Sequence, residues 1–304
     1  MVIDNNGSTI QQAATNRWTA MQTIKSGSSG TLYIVPTPIG NLEDITARAI
    51  RILREVSHVC AEDTRHTRKL LSHFGISTSV ISYYREKERE KSVSIVKLLH
   101  QGKDIALVSD AGTPAISDPG AILVQHARQA GIKIVPLPGA CAATTALSAA
   151  GMTDDGFLFL GFAPSKQGQR KKFLQKIKNC SYPVVLYESP RRVGEMLTDA
   201  LAILGDRQGF WARELTKTFE DLQQGSLSEL VQLCEAPQKG EFVIIIYPET
   251  VEEAAGENLD ELLVWYRDNS DLSLKDVSKK LSSDLGLSRS EIYKQALKIW
   301  NSTT

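Results

Sequence analysis

Cysteine is scarce in this 304-residue chain, and its four copies (Cys60, Cys141, Cys180, Cys234) lie far apart with no C-x-x-C pair. That spacing excludes the common zinc and dithiol motifs and leaves reduced thiols as the plain reading, with no metal site expected. No G-x-G occurs anywhere, and no G-x-x-x-x-G-K-[ST]. The usual cradles for dinucleotides and nucleoside triphosphates are therefore excluded. Long apolar runs are also missing. The strongest, "FVIIIY" at Phe242–Tyr247, is far below the roughly 20 residues that span a bilayer. Residues 1–30 contain no signal-like apolar core and end in Gly and Ser, which reads as a flexible extension before the first strand. The expected location is the cytoplasm, with no membrane partner. Neither charge sign is in excess, with 35 basic and 35 acidic residues, so only a local patch could argue for a nucleic-acid partner.

With 42% hydrophobic and 23% charged residues, the chain has the composition of a soluble globular protein. From Thr31 short apolar runs alternate with helical periodicity, the pattern of an α/β fold. "TLYIV", "HVCA", "SVISYY", "DIALVS" and "IKIVPL" read as five strands of a first lobe, residues 31–151. Asp44 is expected to cap the first helix and Asp118 the helix that starts near Gly120. "CAATTALSAAG" reads as a small-residue helix ending at Gly151. "FLFLG", "YPVVLY", "GFWAR" and "EFVIIIY" read as strands of a second α/β lobe, residues 152–249. An acidic link then precedes a helix–turn–helix-like domain, residues 257–304, in which Gly286 ends one helix and Ser288 and Glu291 suggest a capping box for the last.

In open α/β sheets ligands bind beyond the carboxyl ends of the strands. The unusual loops fall there: "PTPIGNLEDIT", "EDTRHT", "DAGTPAISDPG", "PLPGACAATT", "YESPRR" and "RELTKTFE". Each alone is more often structural than functional, but six on one edge argue for a site. Their small residues, backbone amides and few cations suit a ligand carrying adenosine and a carboxylate but no phosphate. In "DAGTPAISDPG", Gly112 would let the backbone approach a ligand, with Pro114 and Pro119 holding the loop open.

Taken in order, "LYIVPTPIGNLEDIT", "AEDTRHTRKLL", "LVSDAGTPAISDPG", "PLPGACAATTALSAAG", "YESPRR" and "ARELTKTFE" resemble the ribose 2′-O-methylases of bacterial small-subunit ribosomal RNA, within the tetrapyrrole methylase-like superfamily. The likeness runs from about Leu32 to Tyr247. It implies two α/β lobes with S-adenosylmethionine held in the cleft between them, a homodimer, and a cytidine of the decoding centre in 16S rRNA as target. Carried over, the cofactor site would use Pro36, Ile39, Asp110, Gly112, Thr113, Cys141, Ala142, Tyr187, Glu188 and Glu214. Ala140 departs from the proline more usual in "PGACAA", a small change in loop stiffness.

Transfer to a ribose hydroxyl needs alignment and somewhere for a proton to go. Glu62, Asp63, Glu188, Glu214 and Lys217 lie at strand ends. Lys217 is expected as base or orienting group, with Asp63 as the alternative, and Arg65 or Arg213 as phosphate holders. A salt-bridge network is an equally good reading of these residues. For RNA, Lys166, Arg170, Lys171, Lys172, Lys176 and Lys178 run without an intervening acid. The expected contacts are Lys166, Arg170, Lys171 and Lys172, with Arg191 and Arg192 of "YESPRR". A small-molecule methylase would share lobes and cofactor without needing that stretch. A DNA-binding regulator is disfavoured, because the terminal helix carries few cations (Arg289, Lys294, Lys298) and the segment from Val251 is acidic.

Overall fold

The computed structural model describes residues 29–152, 156–234, 238–249, 254–270, 272–285 and 287–301. The chain divides into two compact units, Met1–Pro248 and Glu249–Thr304.

The first unit holds two five-stranded sheets. In the first, β1 (Thr31–Ile34), β2 (His58–Ala61), β3 (Ser79–Ser82), β4 (Ile105–Leu107) and β5 (Lys133–Pro136) are all parallel, in the order β3-β2-β4-β1-β5. Helices α1 (Ala47–Glu55), α2 (Thr64–His73), α3 (Glu88–His100) and α4 (Ala121–Gln129) alternate with them. They bury both faces: Val35, Val59, Ala106 and Val108 on one side, Leu32, Cys60, Ile105 and Leu107 on the other. A sheet covered on both faces needs nearly continuous apolar strands, which is why these short runs are legible in the sequence.

The second sheet is mixed: β6 (Leu158–Phe162), β7 (Val184–Glu188), β8 (Gln208–Arg213), β9 (Asp221–Ser226) and β10 (Phe242–Ile246), in the order β6-β7-β10-β8-β9. Only β6 and β7 pair in parallel. Helices α6 (Gln167–Ile177), α7 (Val193–Leu204) and α8 (Leu227–Leu233) cover one face, where Phe242, Ile244 and Ile246 point. The opposite face, carrying Val243 and Ile245, is covered by α5 (Ala142–Ala149). That helix follows β5 of the first sheet, so it joins the two lobes. Its Ala143, Ala146 and Ala150 flank permits close approach to Val185, Phe210 and Ala212. Tyr247 Oη donates to Ala150 O (2.9 Å), pinning its end.

Several local expectations need correction. Thr46, not Asp44, caps α1. Asp44 lies in a 3₁₀ turn, while extended Thr46 accepts from Ala49 N (3.0 Å). Asp118 does not cap α4. The Gly120 amide donates to the buried Glu88 carboxylate of α3 instead (2.6 Å). β9, "DLQQGS", is an edge strand too polar to stand out, and α8 after it carries a full Ser226–Glu229 capping box.

The second unit packs α9 (Ala254–Asn269), α10 (Leu274–Leu285) and α11 (Arg289–Asn301) around Leu259, Leu263, Val277, Leu281, Ile292 and Ala296. α9 begins inside the stretch read as a link. Ser288 Oγ meets Ser290 Oγ (2.8 Å), and Gly286 lies outside the described residues. A groove here brings Lys294 and Lys298 together with Asp260 and Glu291, a mixed lining that does not favour phosphate. No helix among the described residues is long and apolar enough to cross a membrane.

Candidate active site

The loops at the strand ends of the first sheet are laced together by their own polar groups. Thr37, after β1, exchanges two backbone hydrogen bonds with Gly112, after β4 (2.9 Å each). Thr37 Oγ1 donates to Ser109 O (3.0 Å), and Thr113 Oγ1 to Ala140 O after β5 (3.0 Å). Asp110 Oδ1 accepts from the Asp63 amide after β2 (3.0 Å). Four loops are thus held as one floor.

The loop from Asp110 to Gly120 is the most contorted backbone of this floor. Gly112 (φ +76°), Ala115 (φ 67°), Ser117 (φ 69°) and Gly120 (φ +142°) all occupy left-handed space. For Ala115 and Ser117 that costs on the order of 1–2 kcal/mol each, and it persists because the surroundings fix it. Arg85 Nη2 donates to Ser117 O (2.9 Å). At the far end Glu88 holds the Gly120 amide and accepts from Tyr83 Oη (3.0 Å). The other non-glycine residues at positive φ among those described, Glu214 (φ 52°) and Thr216 (φ 66°), lie in the loop after β8. That loop crosses to the first lobe through Asn41 N donating to Thr216 Oγ1 (3.0 Å).

Between the lobes lies a cavity of about 550 Å³. Ten of the residues expected at the site line it: Ile39, Asp110, Gly112, Thr113, Cys141, Ala142, Tyr187, Glu188, Glu214 and Lys217. Pro36 does not. It is buried beneath the floor, where a Cβ on Gly139 would come within 2.7 Å of its own. Tyr187 stands on α5 by accepting from Ala143 N (3.2 Å), and burial pushes its phenol up. Glu188 is buried and paired with Arg192 (2.5 Å), which is thereby committed within the second lobe.

Charge distribution revises the catalytic candidates. Lys217 Nζ donates to Glu214 Oε1 (2.7 Å) and Glu241 Oε2 (3.2 Å). Burial pulls its ammonium down, but these two carboxylates more than reverse that, so its pKa is raised. A lysine base requires the opposite shift. The hydrogen bond from Lys217 holds Glu214 below the usual carboxylate range despite partial burial. Asp63 is also corrected. It caps α2, accepting from Arg65 N (2.8 Å) and His66 N (3.4 Å), bonds that lower its pKa, and it is not in the cavity wall. Neither Arg65, exposed beside it, nor Arg213, which bonds Gln238 Oε1 (3.0 Å) near Asp221, is among the residues lining the cavity.

Glu62 and Asp118 matter more than their motifs suggest, because they line the cavity with Asp110. Burial, then the charges of Glu62 and Asp110, opposed by Arg85, push Asp118 up to about 6. Glu62 is raised by burial and by Asp110. Among the cations expected to meet RNA, Lys166, Lys171, Lys172 and Arg191 are exposed. Arg170 is withdrawn from that set. It is 1% exposed, bonded to Asp199 (2.8 Å) and Glu195 (3.2 Å), and belongs to the core of the second lobe.

A two-lobed α/β fold with a cavity between the lobes defines a structural class shared with solved proteins of low sequence identity. The chain is similar to diphthine synthase (TM-score 0.59, 16% identity, 76% of this chain and 95% of that one). It is also similar to uroporphyrin-III-C-methyltransferase from Thermus thermophilus (TM-score 0.51, 19% identity, 75% and 98%). Residues 31–231 match the family described as Tetrapyrrole (Corrin/Porphyrin) Methylases, and the chain belongs to it. Its relatives include proteins named ribosomal RNA small subunit methyltransferase I. One, from Halalkalibacterium halodurans, is 43% identical over 87% of this chain and 93% of its own. Another, from Pseudomonas aeruginosa, is 42% identical over 89% and 98%. The chain is a methyltransferase, with S-adenosylmethionine as methyl donor. The cavity fits such a donor in size, since small-molecule sites run from about 300 to 1,000 Å³. Its wall offers both chemistries required, apolar surface from Ile39, Leu215 and Val243 and carboxylates from Asp110, Asp118 and Glu62 for a cation.

Proposed function

We propose that this chain methylates the ribose 2′-oxygen of a cytidine in the decoding centre of 16S rRNA. The observation that carries this reading is the set of relatives named for small-subunit rRNA methylation, matched along nearly their whole length. A small-molecule substrate is the lesser reading, because the relatives named above share the rRNA name and the fold neighbours share only fold.

When bound, S-adenosylmethionine supplies a methyl carbon already activated by its sulfonium. The chain's part is then alignment and charge. The floor loops, with Asp110, Gly112 and Thr113, and the wall from Cys141, Ala142 and Tyr187 would hold the donor. Lys217, kept charged by Glu214 and Glu241, would orient the loop after β8 at the acceptor side. Asp118, raised to about 6, is the carboxylate best suited to take the hydroxyl proton near neutral pH. Exposed Lys166, Lys171, Lys172 and Arg191 would contact phosphates and give binding its salt dependence. The protein would act in the cytoplasm as a homodimer, with lobes at 31–151 and 152–249 and an accessory helical domain from 257.

The test is label transfer from S-adenosylmethionine to small ribosomal subunits that lack the modification. Label on a ribose 2′-oxygen is the expected outcome. Cofactor binding without transfer to RNA would move the substrate to small molecules.

A further inference from the structure

Strand β6 breaks the alternation of an ordinary strand. Residues an odd number apart on a regular strand face opposite sides of the sheet. Phe159 and Phe162 nevertheless both meet the Tyr187 ring, at centroid distances of 5.0 and 5.6 Å. The register of β6 against β7 shifts between Phe159 and Gly161, and Gly161 has φ +66°. This is a bulge, a device that re-aims the side chain beyond it. A Cβ on Gly161 would lie 2.9 Å from Ser117 Oγ, so the contorted loop of the first lobe packs against the bulge. The result is a phenyl ring 54% exposed at the cavity wall, backed by Tyr187. The ring rests edge-on against Tyr187 and leaves the rest of its apolar surface open at the cavity.

We propose that Phe162 is the platform on which the target nucleobase stacks. The inference rests on the reading of rRNA as substrate. A 2′-hydroxyl in a helical segment is displayed in the minor groove, but a nucleotide of a single-stranded segment can splay out and bring its ribose to a donor held between two lobes, and its unstacked base then gains from an aromatic surface. Phe162 provides that surface at the mouth of the donor cavity. Exposed Lys166, Lys171 and Lys172 follow it closely in the chain, where they would hold flanking phosphates. The competing occupant is the adenine of the donor, which would make Phe162 part of the cofactor subsite.

Phe162→Ala and Phe162→Trp separate these cases. Each would be assayed for KM and kcat on undermethylated small subunits and, by calorimetry, for S-adenosylmethionine affinity. The expected result for Phe162→Ala is a KM raised about 5- to 100-fold, the range of base–aromatic stacking. Donor affinity should stay within about twofold, and the melting temperature should fall by no more than about 4 °C, since the ring is half exposed and loses chiefly its contact with Tyr187. Phe162→Trp should restore KM. An unchanged KM in the alanine variant, or an equal loss of donor affinity, would overturn the assignment. If the wild-type enzyme run alongside labels no rRNA, the proposed function itself fails, which is a distinguishable result.

Discussion

Replacing Asp118 by asparagine removes the charge that burial in the cavity most disfavours. In the folded protein this carboxyl is raised from 3.8 to about 6 by burial and by its neighbours Glu62 and Asp110, against the pull of Arg85. Between those values the folded state keeps a proton that the unfolded chain has released. The group's contribution to stability is therefore complete at low pH and is lost as pH rises through about 6. At roughly 1.36 kcal/mol per unit, a shift of this size amounts to about 3 kcal/mol. Contact with solvent at the cavity reduces it to about 1–2 kcal/mol. Asp118→Asn should be more stable than wild type by that amount near pH 7.5, a gain of about 3–6 °C in melting temperature for a unit of this size. The gain should shrink toward zero near pH 4. Thermal and urea unfolding across that range would read it. A gain independent of pH, or a variant less stable near neutrality, would refute the reasoning. The same charge also bears on the donor. Wild-type affinity for S-adenosylmethionine should rise as pH passes about 6, and the variant should lose that rise. Affinity for the uncharged thioether product should depend little on pH in either protein.

Arg170→Ala, which leaves buried Asp199 to Gln167 Nε2 (3.3 Å) and Lys171 Nζ (3.6 Å), should cost about 3 kcal/mol in urea unfolding, the low end for a broken buried pair, and leave the salt dependence of rRNA binding unchanged. Lys172→Ala should do the reverse, shifting stability by less than about 0.5 kcal/mol and flattening the log–log salt slope by about 1 if one phosphate is no longer neutralised. Lys217→Ala should lower kcat by about 10- to 100-fold through misplacement of the loop after β8. Its pH–rate profile should keep the wild-type limbs, whereas loss of a limb would restore lysine as base. Gly112→Ala places a Cβ at φ +76° and 3.3 Å from Ile39 Cγ2. It should cost about 1–2 kcal/mol of stability and weaken donor binding in calorimetry.

The parts of the fold that are legible in the sequence share one cause. β1, β2, β4, β7 and β10 are buried on both faces, so their residues read as apolar runs whatever lies beside them. The six loops are legible because prolines, glycines and acids cluster at the ends of those runs, and ten of the expected residues do line one cavity. What escapes depends on tertiary placement. β9 pairs only along one edge and keeps polar residues, so nothing in "DLQQGS" announces a strand. Arg170 has the sequence context of its exposed neighbours Lys171 and Lys172, and only the turn of α6 buries its guanidinium against Asp199, which Lys171 meets from the exposed side at 3.6 Å. A lysine at a cleft such as Lys217 is expected to be depressed by burial. Glu214 and Glu241 together reverse the shift, and the second of them lies 24 residues away on the approach to β10. Asp118 resembles a helix cap because it precedes α4, yet Glu88 fills that role from another helix. The bulge at Gly161 is hidden because a glycine after "FLFL" reads equally well as a strand end.

The most direct test is transfer of labelled methyl from S-adenosylmethionine to small ribosomal subunits lacking native methylation, with the label mapped to nucleotide and atom. A 2′-O-methylated cytidine in the decoding region is the predicted result. Donor binding with label absent from the RNA, or label on a base instead of a ribose, would contradict it.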